Sequence, residues 1–502
     1  MKLSKLLNGI TVSKMFYLKY GQFVVTQDLE INCIRYDSRK VQNGDIFVAI
    51  RGAKFDGHNF IKNAVSNGAS VVVLEDDSIL NDSFFLHSGV MKIVVPNSRI
   101  ALAKLSANYF NNPSERLSIF GVTGTNGKTT TTYLLKSILE NTGKKTGLLG
   151  TIAYQIGNQT ITATHTTPES FDLNELFSQM LKAGCSAAVM EVSSHALAQH
   201  RVHAIKFTGA IFTNLTQDHL DYHITMEKYF EAKKSLFDSL PSSSFAVINI
   251  DDKWGQKICN STKANILTYG IHESADVQAK NIITSTDGIK FSLLAKGNEI
   301  IIESNLIGTF NVYNLLAACS VGIALDIPLH TLKEVILKTT AAPGRFEQIN
   351  SPKGWKAIID YAHTPDALEK ALTAIHEMFS KNKKGKIITV FGCGGNRDRG
   401  KRPKMAQIAS TLSDVTIITS DNPRNEEPEN IINEVIRGIK TGNEFYSEVD
   451  RKKAIHLALD LARKNDVVLI AGKGHEDYQI IGNQKIHFND REVVEEYISS
   501  HK

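Results

Sequence analysis

Residues 121–132 read G-V-T-G-T-N-G-K-T-T-T-T, a spacing suited to gripping a polyphosphate. Gly124 and Gly127 allow backbone N–H groups to turn inward on an anion where a helix begins, and the helix dipole there already favours negative charge. Thr125, Asn126 and Thr130 complete the loop. Lys128 can reach β- and γ-phosphates, and the Thr129 hydroxyl can complete a Mg²⁺ shell. A strict Walker A pattern requires glycine where Val122 stands, and Gly121 lies one residue too far back. A glycine-rich turn capping a helix is the plainer alternative. The Lys-Thr pair at the turn's exit argues against it, so the chain is expected to bind a nucleotide.

This loop needs a strand before it and a helix after it. The apolar run at 117–122 suits a buried strand, and Tyr133, Leu134, Leu135, Ile138 and Leu139 follow at helical spacing. Short apolar runs at 187–190, 210–212 and 246–248 alternate with helical patterns, which predicts a mainly parallel α/β sheet. Later runs at 386–391, 415–419 and 467–471 each end in an unusually polar loop: G-C-G-G-N-R-D-R-G-K-R-P, S-D-N-P-R-N-E-E-P and G-K-G-H-E-D-Y-Q. Open α/β sheets bind ligands beyond the carboxyl ends of their strands. Arg397, Asp421, Asn422, Arg424 and Glu476 are therefore expected to converge on one crevice. Each loop alone would read as an exposed connector; three together read as a site.

At 502 residues the chain exceeds one ordinary core, and roughly three domains is the length-based expectation. Polar, proline-containing junctions at 111–116 and 339–354 place them at 1–112, 113–340 and 341–502. A helical stretch at 332–338 precedes the second junction. The formal charge of +5, without a dense Lys/Arg block, fits anionic small-molecule substrates and gives no case for nucleic acid. Five scattered cysteines without a C-x-x-C pair read as reduced thiols of a cytosolic protein. No run approaches the roughly 18 apolar residues of a membrane span, so membrane insertion is not expected.

Glu191 ends an apolar strand, where a carboxylate can face a phosphate-bound Mg²⁺. A lone strand-end glutamate would be unremarked; the neighbouring phosphate loop changes that. The segment 213–223, T-N-L-T-Q-D-H-L-D-Y-H, holds two histidines and two aspartates, but no cysteine or second ligand pair supports zinc. Lys233 and Lys234 in Y-F-E-A-K-K-S-L-F read as a solvated helix face, and an unmodified lysine cannot ligate Mg²⁺.

Taken together, G-V-T-G-T-N-G-K-T-T, E-V-S-S-H, T-N-L-T-Q-D-H-L-D-Y-H, Y-F-E-A-K, T-F-N-V-Y-N, D-Y-A-H-T-P-D-A-L, D-N-P-R and A-G-K-G-H-E resemble the motifs of the Mur ligase family. They run in order from Asp37-Ser38-Arg39 to Glu476, nearly the whole chain. The resemblance implies an α/β fold of three domains: a smaller N-terminal α/β domain for a UDP-sugar, a central P-loop-type ATPase with a mainly parallel sheet, and a C-terminal Rossmann-like domain for an amino acid. It implies a monomeric cytoplasmic ligase that uses ATP and Mg²⁺ to make an amide through an acyl phosphate. The closest motifs are those of members that add meso-diaminopimelate to UDP-N-acetylmuramoyl-L-alanyl-D-glutamate. By the same match, Thr129, Glu191, His219 and Lys233 (as a carbamate) hold metal, and Asn314, Arg345 and Asp360 meet ATP. Ser38, Thr166, Thr167, Ser193, Gln199 and Arg201 meet the UDP-sugar peptide. Arg397, Asp421, Asn422, Pro423, Arg424, Gly472 and Glu476 meet diaminopimelate.

Three alternatives remain at this point. L-lysine could be the acceptor. A folylpolyglutamate synthetase-like ligase shares the ATPase core but lacks a UDP-sugar domain, whereas about a hundred residues, a usual domain length, precede the loop here. A nucleotide-driven switch would need no three-loop crevice, and no N-K-x-D is present.

Overall fold

The computed structural model describes residues 1–19, 22–23, 28–52, 55–379 and 385–501. Internal contacts gather into two units: Met1–Lys128 with Leu139–Leu267, and Thr129–Ile138 with Thr268–Lys502.

Besides a two-stranded ribbon, Leu18–Lys19 with Gln22–Phe23, two larger sheets shape the first unit. In the N-terminal one, β1 (Lys14–Phe16), β2 (Ile34–Arg35), β3 (Ile46–Val48), β4 (Val71–Leu74) and β5 (Met91–Val94) lie in the order β1-β5-β4-β3-β2. Only β1 runs antiparallel to its neighbour. Strand β4 is V-V-V-L and wholly buried, as a strand covered on both faces must be. Its alternate side chains enter different cores, Val71 and Val73 one and Val72 and Leu74 the other.

The second sheet carries the phosphate loop. Strands β6 (Ser118–Thr123), β7 (Thr146–Leu149), β8 (Ala153–Ile156), β9 (Gln159–Thr162), β10 (Ala187–Glu191), β11 (Gly209–Phe212) and β12 (Phe245–Asn249) run in the order β9-β8-β7-β10-β6-β11-β12. The five strands β7, β10, β6, β11 and β12 are mutually parallel. Val122 pairs with both Glu191 and Ile211, so the loops after β6, β10 and β11 emerge side by side. Gly121, unusable as a Walker glycine, has a packing role instead. A Cβ there would stand 2.8 Å from the Phe207 ring. The strand leads into the helix α1 (Lys128–Asn141), with Gly127 at its N-cap at φ +85°.

In the second unit, β13 (Val277–Ser285), β14 (Gly288–Ala295) and β15 (Asn298–Ser304) form an antiparallel meander. Helix α2 (Phe310–Ala324) follows and is buried along nearly its whole length; α3 (Leu329–Lys338) starts earlier than the 332–338 stretch, directly after Pro328. The C-terminal sheet has β16 (Glu347–Asn350), β17 (Lys356–Asp360), β18 (Ile387–Cys393), β19 (Val415–Ser420), β20 (Glu444–Glu448) and β21 (Val467–Ala471), ordered β16-β17-β21-β18-β19-β20. All pairs but β16–β17 are parallel. The apolar run in β18 stops at Phe391, yet the strand continues, because Gly392 and Cys393 still pair with Thr419 and Ser420.

A buried ion pair ties this sheet to the C-terminal helix. Arg451 donates through Nε and Nη2 to Asp490 at 2.7 and 2.8 Å, and through Nη2 to the Ala471 carbonyl at 3.0 Å, where β21 ends. Both side chains are fully buried. Arg451→Met should therefore destabilise the protein by about 3–5 kcal/mol, while Arg451→Met with Asp490→Leu should recover most of that loss. Urea denaturation of both variants measures it; equal stability of single variant and wild type would refute it.

Candidate active site

Two lysines meet at the phosphate loop. Lys128 Nζ donates to the Gly124 and Thr125 carbonyls at 3.0 and 2.9 Å, and Lys233 Nζ donates to the same Gly124 carbonyl at 2.8 Å. Lys233 is thus fully buried, against the expectation of a solvated face, with its ammonium 4.6 Å from the centre of the Tyr229 ring. Burial, aided by repulsion from Lys128, holds the Lys233 amine well below the ordinary lysine pKa.

Residues after β11 shape the loop. Gly124 has φ +150°, and a Cβ there would run into the Thr213 hydroxyl. Thr213 Oγ1 donates to the Asn126 carbonyl at 2.6 Å. The Asn214 carbonyl accepts from Thr125 N at 2.8 Å, and its side-chain oxygen accepts from Asn126 N at 3.0 Å. Thr125 Oγ1 in turn pairs with the Tyr229 hydroxyl at 3.2 Å. Thr213, Asn214 and Tyr229 were not singled out from sequence, although they sit within the motifs T-N-L and Y-F-E-A-K. Thr129 and Thr130, at the start of α1, are buried.

Glu191 is buried at the end of β10. Its two oxygens accept from Thr151 N at 2.9 Å and from Thr151 Oγ1 at 3.1 Å. Thr151 Oγ1 pairs with Thr166 Oγ1 at 3.0 Å, and Thr167 Oγ1 donates to the Glu191 carbonyl at 2.9 Å. Ser193 N donates to Thr167 Oγ1 at 3.0 Å; Arg201 donates to the Thr167 carbonyl at 2.9 Å and to Gln199 at 2.8 Å. The fold therefore gathers Thr166, Thr167, Ser193, Gln199 and Arg201 around the glutamate. Ser38 stands apart: it is buried beside the N-terminal sheet, its carbonyl accepting from Asn67 at 2.9 Å.

His219 has φ +51° and packs its ring 4.8 Å from that of His195. Burial pushes its pKa down, favouring the neutral imidazole. Among the described residues no group of three or more His, Cys, Asp or Glu could by itself hold a metal. By donor type, Glu191 and His219 in the first unit are an oxygen and an imidazole ligand, compatible with a divalent cation that keeps water.

In the second unit, Asn314 is buried in α2, donating to Asn311 at 2.8 Å and accepting from Thr131 at 3.3 Å. Arg345 lies with its guanidinium 4.8 Å over the Tyr361 ring, and its buried Nε has no hydrogen-bond partner among the described residues. Asp360 accepts from Phe346 N at 2.7 Å and Ala362 N at 2.9 Å; burial raises its pKa, opposed by Arg345. The His475 ring lies 5.0 Å from that of Tyr361, tilted by 44°, and its pKa is pushed down to about 4 by burial, so it is neutral near pH 7.

Three loops do converge beyond β18, β19 and β21. Asn422 donates to Glu476 Oε2 at 3.0 Å, and its side-chain oxygen accepts from Ile480 N at 2.9 Å. Arg424, at φ +53°, donates through Nη1 to the Gly395 and Asn422 carbonyls at 2.9 and 3.3 Å. Glu426, which could have claimed Arg424, is bound instead by the buried Arg402 at 3.0 Å. The Pro423 carbonyl lies against Gly395 where a Cβ would collide. Gly472 takes φ +115° and donates to the Asp360 carbonyl at 3.0 Å. Arg397 is exposed, its stem passing Gly394.

A glycine loop at a helix N-terminus, on a parallel α/β sheet, defines a protein of the phosphate-loop class. The Mur ligase middle domain matches residues 122–322, the Mur ligase glutamate ligase domain 344–474, and the Mur ligase family catalytic domain 30–110. A UDP-N-acetylmuramoyl-L-alanyl-D-glutamate–2,6-diaminopimelate ligase of Clostridium botulinum is 47% identical, over 96% of this chain and 98% of its own. A solved structure of an enzyme of that name superposes with a TM-score of 0.70 at 33% identity, covering 96% of this chain and 98% of that one. A MurF ligase from Thermotoga maritima, solved with ADP, shares the fold at TM-score 0.61 and 20% identity, covering 94% and 99%. The chain belongs to the Mur ligase family.

Asn214 makes a test of the loop. Asn214→Ala removes the side-chain acceptor of Asn126 N and should raise KM for ATP about tenfold, from about 1–1.5 kcal/mol of lost hydrogen bonding. Steady-state kinetics at saturating co-substrates reads this; an unchanged KM would show that the loop holds itself.

Proposed function

We propose that this chain is an ATP-dependent ligase that joins meso-2,6-diaminopimelate to UDP-N-acetylmuramoyl-L-alanyl-D-glutamate in the cytoplasmic synthesis of peptidoglycan precursors. The observation that carries this reading is the 47% identity, over 96% of the chain, to a relative bearing that name. The working bodies are taken as 1–112 for the UDP-sugar, 113–340 for ATP and 341–502 for the amino acid.

A carboxylate is a poor electrophile. The D-glutamyl carboxylate therefore attacks the γ-phosphorus of ATP, ADP leaves, and an acyl phosphate forms. The diaminopimelate amine then attacks that acyl carbon, losing a proton, and inorganic phosphate departs. Both reactants of the first step are anions, so the protein's work is positioning and charge neutralisation. Lys128 and the N–H groups of 124–130 hold the phosphates, while Thr166, Thr167, Ser193, Gln199 and Arg201 orient the sugar peptide. Thr129, Glu191, His219 and a carbamate on Lys233 would hold Mg²⁺, which when bound supplies further positive charge to the phosphates. The buried amine of Lys233 supports that modification, because CO₂ adds only to a neutral amine. Asn314 takes the adenine side, and Arg345 and Asp360 the phosphate and ribose.

At the acceptor end, Arg424 receives the distal carboxylate through its planar fork and Glu476 the distal ammonium. Lysine lacks that carboxylate. Leaving Arg424 unmatched should cost on the order of 2–4 kcal/mol, or roughly 30- to 1000-fold in kcat/KM. ADP release should require the UDP-sugar dipeptide and diaminopimelate, with lysine a poor substitute, and Arg424→Ala should erase most of the preference. Wild type preferring lysine would overturn the assignment. Lys233→Ala should lose most activity and regain part with short carboxylic acids that replace the carbamate. Near-normal turnover of that variant would exclude the modified lysine.

A further inference from the structure

The A-G-K-G-H-E loop contains a cation that the acceptor reading leaves unassigned. Lys473 is fully buried, with Nζ 3.0 Å from Glu476 Oε2 and 3.5 Å from both Asp421 Oδ1 and Asn422 Oδ1. The backbone makes this placement obligatory. Gly472 and Gly474 flank it at φ +115° and +51°, and Glu476 N closes the turn on the Lys473 carbonyl at 2.9 Å. Gly474 has no room for a side chain, since a Cβ would stand 2.6 Å from the Gly344 carbonyl.

Lys92, also fully buried, is shared by Asp77 and Asp82 away from any site, so it is the identity of Lys473's partners that matters. Lys473 is shared by the two carboxylates of the acceptor crevice, and among the described residues neither Asp421 nor Glu476 has another ion-pair partner. The nearby Arg451 is matched by Asp490, and Arg402 by Glu426 and Glu434. Arg397 is exposed to water; the groups withdrawn from it are two carboxylates, Asp421 and Glu476, against one ammonium and one guanidinium, Lys473 and Arg424, so the inner part of the crevice is electrically neutral. Glu476 Oε2 is occupied by Lys473 and Asn422, which leaves Oε1 for a ligand.

We propose that Lys473 is a positioning residue that sets acceptor specificity: by offsetting one carboxylate it keeps the crevice neutral, so that it takes a zwitterionic amino-acid end and rejects an end carrying only an ammonium. The inference rests on the acceptor site proposed above. A zwitterion adds no net charge to a neutral site. A lone ammonium adds a positive charge where little water screens it and finds no carboxylate to bring to Arg424. Without Lys473 the crevice is net negative, and the lone ammonium becomes the better match.

The test compares wild type, Lys473→Met and Lys473→Met/Asp421→Asn, measuring ADP formation with meso-diaminopimelate and with L-lysine. In the single variant the ratio of kcat/KM for the two acceptors should fall at least tenfold, through a higher KM for diaminopimelate and a lower one for lysine. KM for ATP should stay within twofold. The double variant removes a matched pair of charges and should recover the ratio toward wild type. A single variant that keeps the ratio within twofold, or loses both acceptors equally, overturns the inference, the latter marking a merely structural lysine. Should the single variant fail to fold, the double decides: a retained preference supports neutrality, and a lost preference or an unfolded protein overturns it. An active wild type with an unmoved ratio sinks only this inference, whereas a wild type inactive with both acceptors sinks the functional reading with it.

Discussion

Lys128 and Lys233 both donate to the carbonyl of Gly124, at the N-terminal end of α1. Two amines crowd the positive end of a helix dipole there, which holds Lys233 toward its neutral form and suits the loop to an anion. Much of the first unit serves this arrangement. Gly124 must lack a side chain so that Thr213 can close on the loop, and Thr213 and Asn214 are in place only because β11 lies beside β6. The partner strand β10 on the other side brings Glu191 level with Val122. An anion-binding turn, a carboxylate and a rigid clamp thus share one sheet edge, which is the arrangement a phosphoryl transfer between anions needs.

The second unit handles charge by balance. Its buried cations each face carboxylates: Arg402 with Glu426 and Glu434, Arg451 with Asp490, Lys473 with Asp421 and Glu476. Such pairs contribute little net stability, yet removing one partner is costly, so they hold the loops beyond β18, β19 and β21 in one arrangement. Glycines do the same by close approach. Gly344 and Gly474 touch through their backbones, and this contact holds the Arg345 segment against the loop of Lys473 and Glu476. The Tyr361 ring contacts both the Arg345 guanidinium and the His475 ring, which ties the Arg345 segment to the loop that carries His475.

Much of this was legible before any coordinates. Apolar runs bounded by polar loops marked β6, β10, β11, β19 and β21 to within a residue or two, because buried parallel strands need continuous apolar side chains. Glycine spacing and the Lys-Thr pair marked the phosphate loop, since backbone freedom and charge are properties of residue type. The three polar loops marked the crevice beyond β18, β19 and β21 through the rule that strand ends in an open sheet face one edge. What sequence could not decide was partnership at long range. Lys233 read as a solvated residue and is buried on a carbonyl more than a hundred positions away. Gly121 read as a misplaced Walker glycine and makes room for Phe207. Glu426, two positions from Arg424 in sequence, is bound by the distant Arg402 while Arg424 donates to backbone carbonyls. Residue type and spacing declare what a side chain can do; which charge it meets, and whether water is present when it does, is settled only when distant segments pack.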